Sequence, residues 1–131
     1  MMAAIDRIDH FALAVSDFDE RIDFFTNTMG MTVRRHGKHF ASGGRIVMLA
    51  DPKSGFKIEL VERPGKDTEL THVAFRVEDV PAAHEQLLAE GLQSIRGPHH
   101  LDAAKADTAL LKDASGMEIQ IVRYEPDSPD L

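Results

Sequence analysis

The sequence predicts an α+β fold in which one strand–helix–three-strand unit is written twice, the two copies forming a curved mixed sheet. Three observations predict it. The stretch IDHFALAVSD at residues 8–17 returns as LTHVAFRVED at 70–79, each a period-two apolar run with histidine in third place and aspartate at the close. The segments downstream of the two runs are alike: a helix-spaced segment, a stretch of β character, a turn and a last strand. The turn glycines Gly55 and Gly116 are offset by 61 positions, against 62 for His10 and His72.

Taken in order, the first strand ends at Asp17, which with Glu20 has the spacing of a helix-capping box. Phe18, Ile22, Phe25 and Met29 then recur at helical intervals, and Gly30 stops the helix. TVRRHGKHFASGGRIVML carries β character, and DPKSGFKIELVE (51–62) is a turn and a final strand. RPGKDTE (63–69) is a polar linker between a first module at 8–62 and a second at 70–124, inside a single domain spanning 1–131. In the second module Asp79 caps a helix with Pro81 in its first turn, Leu87 and Leu88 deeper, and Gly91 at its end. QSIRGPHHLDAAKADTALLK and DASGMEIQIVRY supply the remaining strands, and EPDSPDL (125–131) reads as a flexible tail. One module alone is too small to cover its sheet, so the copies pack together or pair with those of another chain, a homodimer.

Composition excludes several classes. The formal net charge is −7, with no basic block, which argues against a nucleic-acid partner. The absence of tryptophan and cysteine removes aromatic stacking platforms, disulfides, thiolate metal sites and cysteine nucleophiles. No apolar run approaches a membrane span, and MMAAIDRID lacks the apolar core of a signal peptide, so a cytoplasmic protein is expected.

Strand parity puts the polar residues on one face. Phe11, Leu13 and Val15 oppose His10, Ala12 and Ala14; Val73, Phe75 and Val77 oppose His72, Ala74 and Arg76. The apolar faces meet the helices, which leaves each histidine among small residues. Four residues past each turn glycine stand Glu59 and Gln120. If the first and last strands of each module are neighbours, His10 approaches Glu59 and His72 approaches Gln120, and the two pairs make an N₂O₂ set around a metal cleft. That set suits one divalent ion per site, Zn, Ni, Co, Mn or Fe, with positions left for water or substrate.

These motifs, IDHFALAVSDFDERIDFFTNTMGM, THVAFRVEDVPAAHEQLLAEG and the two turn–strand endings, resemble the vicinal oxygen chelate superfamily from Ile8 to about Tyr124. The group includes glyoxalase I, methylmalonyl-CoA epimerase, extradiol dioxygenases, fosfomycin resistance proteins and metal-free bleomycin-binding proteins. The resemblance implies metal ligands at His10, Glu59, His72 and Gln120. Glutamine stands where the family most often has glutamate, and Glu118, two residues earlier on the same face, is the alternative fourth ligand. Ala14 and Arg63 replace an arginine and an asparagine that hold glutathione in bacterial glyoxalase I, which weighs against a glutathione hemithioacetal.

Three functions are expected. The first is an isomerase, epimerase or lyase acting on a small vicinal-oxygen carbonyl substrate through an enediolate, with Glu59, then Glu118, as proton carrier and Arg76 holding a substrate carboxylate or phosphate. The second is Fe(II) extradiol-type dioxygenase chemistry on the His10, His72, Glu59 triad, with His36, His39, His99, His100 and Tyr124 as acid or base candidates. The third is a non-catalytic pocket for a drug or metabolite.

Overall fold

The computed structural model describes residues 5–131; the first four residues of the expected domain lie outside the described residues. β1 (Ile5–Val15) leads into α1 (Phe18–Asp23), which runs on as a π-helical turn over Phe24–Thr28. β2 (Thr32–Lys38), β3 (Arg45–Ala50) and β4 (Lys57–Glu62) complete the first copy. β5 (Glu69–Val77), α2 (Val80–Ala89), β6 (Gln93–Leu101), β7 (Ala106–Lys112) and β8 (Glu118–Tyr124) repeat the same order. The strands of the first copy are ordered β2-β3-β4-β1 and those of the second β5-β8-β7-β6. β1 pairs parallel with β4 and β5 parallel with β8, whereas the outer pairs of each copy are antiparallel. The fold is therefore the doubled βαβββ arrangement with a mixed sheet that the sequence predicts.

By contact density the chain separates into two compact units, residues 10–71 with 130, and residues 5–9 with 72–129 and 131. In the first unit Val15, Phe18, Val47, Leu49 and Leu60 form a buried cluster, with Leu13, Ile22, Phe25 and Met31 against it. The apolar face of β1 thus meets its helix, as strand parity requires. Met29 departs from the expected stripe and is 61% exposed. The π-helical turn is the cause: the Thr26 hydroxyl bonds back to the Ile22 carbonyl at 2.8 Å, the extra residue shifts the helical phase, and Met31 enters the core instead.

In the second unit Val77, Val80, Ala83, Ala109, Leu111 and Ile121 cluster, with Leu87 and Leu92 packed on them. Leu88, expected deeper, is 42% exposed; Leu87, seven residues on from Val80, takes the core-facing stripe, and Leu88 falls one residue further round the helix. Pro98 is accommodated because β6 is the last strand of the sheet and its register shifts between Arg96 and His99.

The two aspartates expected to cap helices behave differently. Asp79 is extended (φ −138, ψ 103) and its side chain accepts the Ala82 N–H at 3.0 Å. Asp17, at φ −95 and ψ 68, makes no side-chain cap bond, so the expected capping box with Glu20 does not form. Its carbonyl still accepts the Arg21 N–H at 2.9 Å. The side chain of a cap reaches the helix only from extended backbone.

The turns that precede β4 and β8 are built alike. Asp51 accepts the Lys53 N–H at 3.0 Å and the Ser54 hydroxyl at 2.7 Å; Asp113 accepts the N–H groups of Ser115 and Met117, each at 2.9 Å, and the Ser115 hydroxyl at 2.6 Å. Gly55 (φ 77) and Gly116 (φ 88) occupy left-handed positions that a side chain would strain. These turns launch the strands that carry Glu59 and Gln120.

The composition of 125–131 predicts a loose tail, and the structure corrects this. Ser128 and Asp130 are 7% and 2% exposed, and the Ser128 hydroxyl donates to the Ala104 carbonyl. The tail is held by polar groups, so hydrophobic patterning gives no sign of it. No described helix is long and apolar enough to cross a membrane.

Asp79→Ala is expected to cost about 1 kcal/mol in urea unfolding, and Asp17→Ala no more than a few tenths. The Ser54 and Ser115 hydroxyls, followed by backbone N–H groups, hold Asp51 and Asp113 below the usual aspartate pKa. Their stabilisation is complete above the ordinary aspartate pKa and is lost as pH falls through the lower folded values. Carboxyl-carbon NMR titration of both residues checks this; midpoints at the free-aspartate value would refute it.

Candidate metal centre

The parallel pairing sets the site. His10 is registered with Lys57 and Ala12 with Glu59 in β1 and β4; His72 is registered with Glu118 and Ala74 with Gln120 in β5 and β8. The offset is the same in both copies, so Glu59 and Gln120 are equivalent by hydrogen-bond register as well as by counting. Registered residues of parallel strands point to the same face, which places His10, Lys57 and Glu59 together on the side of Ala12 and Ala14. Both alanines are fully buried.

His10 is 1% and Glu59 8% exposed, and His72 is half-buried. His10 and Glu59, both in the first unit, each offer a ligand atom within 4.8 Å of the other. Donors that share an ion at about 2.0–2.2 Å lie up to about 4.4 Å apart, a span close to that bound. Two imidazoles and a carboxylate also match a divalent transition ion chemically. By register Glu118 stands where the first copy has Lys57.

Gln120 is oriented by its neighbour. Thr108, 3% exposed, spends its only hydroxyl proton on the Ile121 carbonyl at 2.8 Å, so towards Gln120 it can act only as an acceptor. It accepts from Gln120 Nε2 at 2.9 Å. That bond determines which end of the amide is nitrogen and leaves the oxygen, the end able to ligate a metal, at the other.

Cations beside Glu59 escaped sequence reasoning. Arg35 Nη2 lies 3.7 Å from Glu59 Oε2. The same guanidinium grips the Asp130 carboxylate in a fork, Nε to Oδ1 at 2.8 Å and Nη2 to Oδ2 at 3.0 Å. Lys57, 2% exposed, donates from Nζ to the Asp130 carbonyl at 2.6 Å. The face of Lys57 was readable by parity. That of Arg35 was not, because a register shift between Val33 and Arg35 breaks the alternation.

Arg76, expected to hold substrate, is instead paired with a protein acid. Its Nε donates to Asp9 Oδ1 at 2.6 Å, the Tyr124 hydroxyl donates to Asp9 Oδ2 at 2.6 Å, and the guanidinium lies over the Tyr124 ring. Asp9 is buried, and a buried carboxylate needs such partners. The other acid or base candidates have local roles. His39 Nδ1 accepts from the N–H groups of Ala41 and Ser42, His99 contacts the Gly97 carbonyl, and His100 pairs with Asp107. The bond to Asp107 raises His100 above the usual histidine pKa.

Residues 7–121 match the sequence model of the Glyoxalase/Bleomycin resistance protein/Dioxygenase superfamily. The chain belongs to this superfamily. A probable lactoylglutathione lyase of Vibrio parahaemolyticus is 30% identical over 132 residues, covering 95% of this chain and 96% of that protein. The lactoylglutathione lyase of Haemophilus influenzae is 27% identical over 123 residues, covering 88% and 91%. Among solved structures, methylmalonyl-CoA epimerase from Mycobacterium tuberculosis superposes with a TM-score of 0.80 at 23% identity, over 96% of this chain and 94% of that one. That likeness establishes the superfamily fold across the chain.

Thr108→Val removes two hydrogen bonds and leaves the Ile121 carbonyl and the Gln120 amide without this partner, at an expected cost of about 1–3 kcal/mol in chemical denaturation. Thr108→Ser is expected to retain most of that stability and the protected Gln120 side-chain amide resonances.

Proposed function

We propose that this superfamily member is a divalent-metal-dependent lyase or isomerase that moves a proton at a carbon next to a carbonyl in a small substrate with two neighbouring oxygens. The observation that carries the reading is the buried pair of His10 and Glu59, with ligand atoms within 4.8 Å, and the equivalent register places of His72 and Gln120 in the second copy. An ion of the Zn, Ni, Co, Mn or Fe class, held by His10, Glu59 and His72 with the Gln120 amide oxygen as fourth donor, would supply a Lewis acid for the substrate oxygens.

The remaining work falls to the chain's own residues. Glu59 is the proton carrier: a carboxylate on the face of His10, with the Arg35 guanidinium 3.7 Å away. Glu118, registered beside His72, is the second carrier. Burial of His10, Lys57 and Glu59 keeps water from competing for the substrate. Gln120, being neutral, leaves Glu59 as the one carboxylate among the four donors, which separates this site from one with a carboxylate in each half.

The relatives support this class through names that denote a lyase and an epimerase. Their substrates are not carried over whole. Ala14 is fully buried and Arg63 pairs with Glu69, so neither place resembles the glutathione contacts of bacterial glyoxalase I, and the substrate is a smaller oxygenated carbonyl compound. The same triad favours one second reading, Fe(II) oxygen chemistry on a catechol, because two histidines and a carboxylate are that chemistry's ligand set.

Elemental analysis and solvent-exchange NMR decide between them. A redox-silent ion at one per chain, with deuterium entering a 2-hydroxy or 2-oxo acid from heavy water, supports the lyase or isomerase. Tightly held iron with oxygen uptake on catechols selects the second reading. A chain that takes up no divalent ion sinks both and leaves a ligand-binding pocket. His10→Ala is expected to weaken metal affinity beyond the roughly 10–100-fold that accompanies loss of an outer-shell partner. Glu59→Gln is expected to lower turnover by about 10²–10⁴-fold.

A further inference from the structure

We infer that Arg35 and Lys57 form a carboxylate-binding subsite beside Glu59, that Asp130 occupies it as a built-in substitute, and that the substrate carries a free carboxylate. The inference deepens the proposed function and rests on it for the word substrate; the subsite itself stands on geometry alone.

Two cations lie next to the candidate proton carrier with little access to solvent: Lys57 is 2% exposed and the Arg35 side chain 13%. Withdrawing both charges from water is costly unless an anion meets them. The repeat does not demand it. The register position of Lys57 is filled in the second copy by an acid, Glu118, beside an equivalent histidine. Lys57 therefore departs from the duplicated plan at the one place where it faces Glu59's side of the sheet.

The group that meets the cations is Asp130, next to last in the chain. Its carboxylate takes both nitrogens of the Arg35 fork, at 2.8 and 3.0 Å, the geometry by which arginine recognises a free carboxylate. Its main-chain carbonyl takes the Lys57 ammonium at 2.6 Å. Carboxylate, two saturated carbons and carbonyl together trace a 4-oxo acid. Such a molecule could lie on Arg35 and Lys57 with its carbons beside Glu59, once the last residues withdraw. The preceding turn is anchored separately, by Ser128 on Ala104.

The test uses metal-free protein, so that the metal reading and this one fail independently. Binding of 4-oxopentanoate, with the neutral 4-oxopentanamide as control, is measured by calorimetry in three forms: the full chain, the chain ending at Pro129, and full-length Asp130→Asn. Removing the competing carboxylate is expected to tighten 4-oxopentanoate binding by about tenfold or more, with no gain for the amide. Arg35→Gln in the shortened chain is expected to abolish the gain. In the unaltered chain, excess 4-oxopentanoate should release the Leu131 amide, seen as a narrowed NMR resonance, a readout that needs no variant to fold. The subsite is overturned if folded Asp130→Asn binds no more tightly than the full chain, if the gain survives Arg35→Gln, or if the Leu131 resonance is unmoved at saturation.

Discussion

Everything at the site depends on the parallel ladder between the first and last strand of each copy. A parallel pair cannot be closed by a tight turn; it needs a crossover, and here a helix and two antiparallel strands supply it. The return delivers Glu59 two positions beyond the partner of His10, and Gln120 two beyond the partner of His72. Side chains alternate with a period of two, so a slip of one residue in either ladder would send the donor to the helix-packed side. The aspartate turns before β4 and β8 guard against that slip. Each satisfies its own backbone through one carboxylate and turns on one glycine.

A second constraint is electrostatic. The face that carries His10 also buries Lys57 and Glu59, and near them the Arg35 and Asp130 side chains. Apolar packing cannot stabilise such a set, so each charge is met by an opposite charge or a carbonyl. Asp9 poses the same problem and is met by Arg76 and Tyr124. The arginine that parity made a candidate for substrate is thereby engaged by a neighbouring acid. The arginine that parity could not place stands beside the candidate carrier.

Duplication explains how one backbone plan can carry unlike side chains in its two copies. The backbone plan is shared, down to a register shift before Arg35 in β2 and before Arg96 in β6. The side chains then diverge where chemistry needs asymmetry: Glu59 against Gln120, Lys57 against Glu118. Gln120 is a neutral amide where the first copy has the Glu59 carboxylate, and Thr108 gives that amide a defined orientation.

The fold was legible in the sequence because it rests on local rules. Period-two strands, helix-spaced runs, turn glycines and an internal repeat are encoded by near neighbours, and counting within the repeat aligned His10, Glu59, His72 and Gln120. The failures were of another kind. The phase of the first helix turned on one threonine bonding back to its own turn, which moved Met29 outwards and Met31 inwards. The failed Asp17 cap turned on a backbone angle. Arg35 lay behind a bulge, and Asp130 lies 95 residues from the guanidinium it binds. Only the tertiary structure decided those pairings, because a buried charge is satisfied by whatever partner the fold brings near, and no periodicity in the chain records that distance.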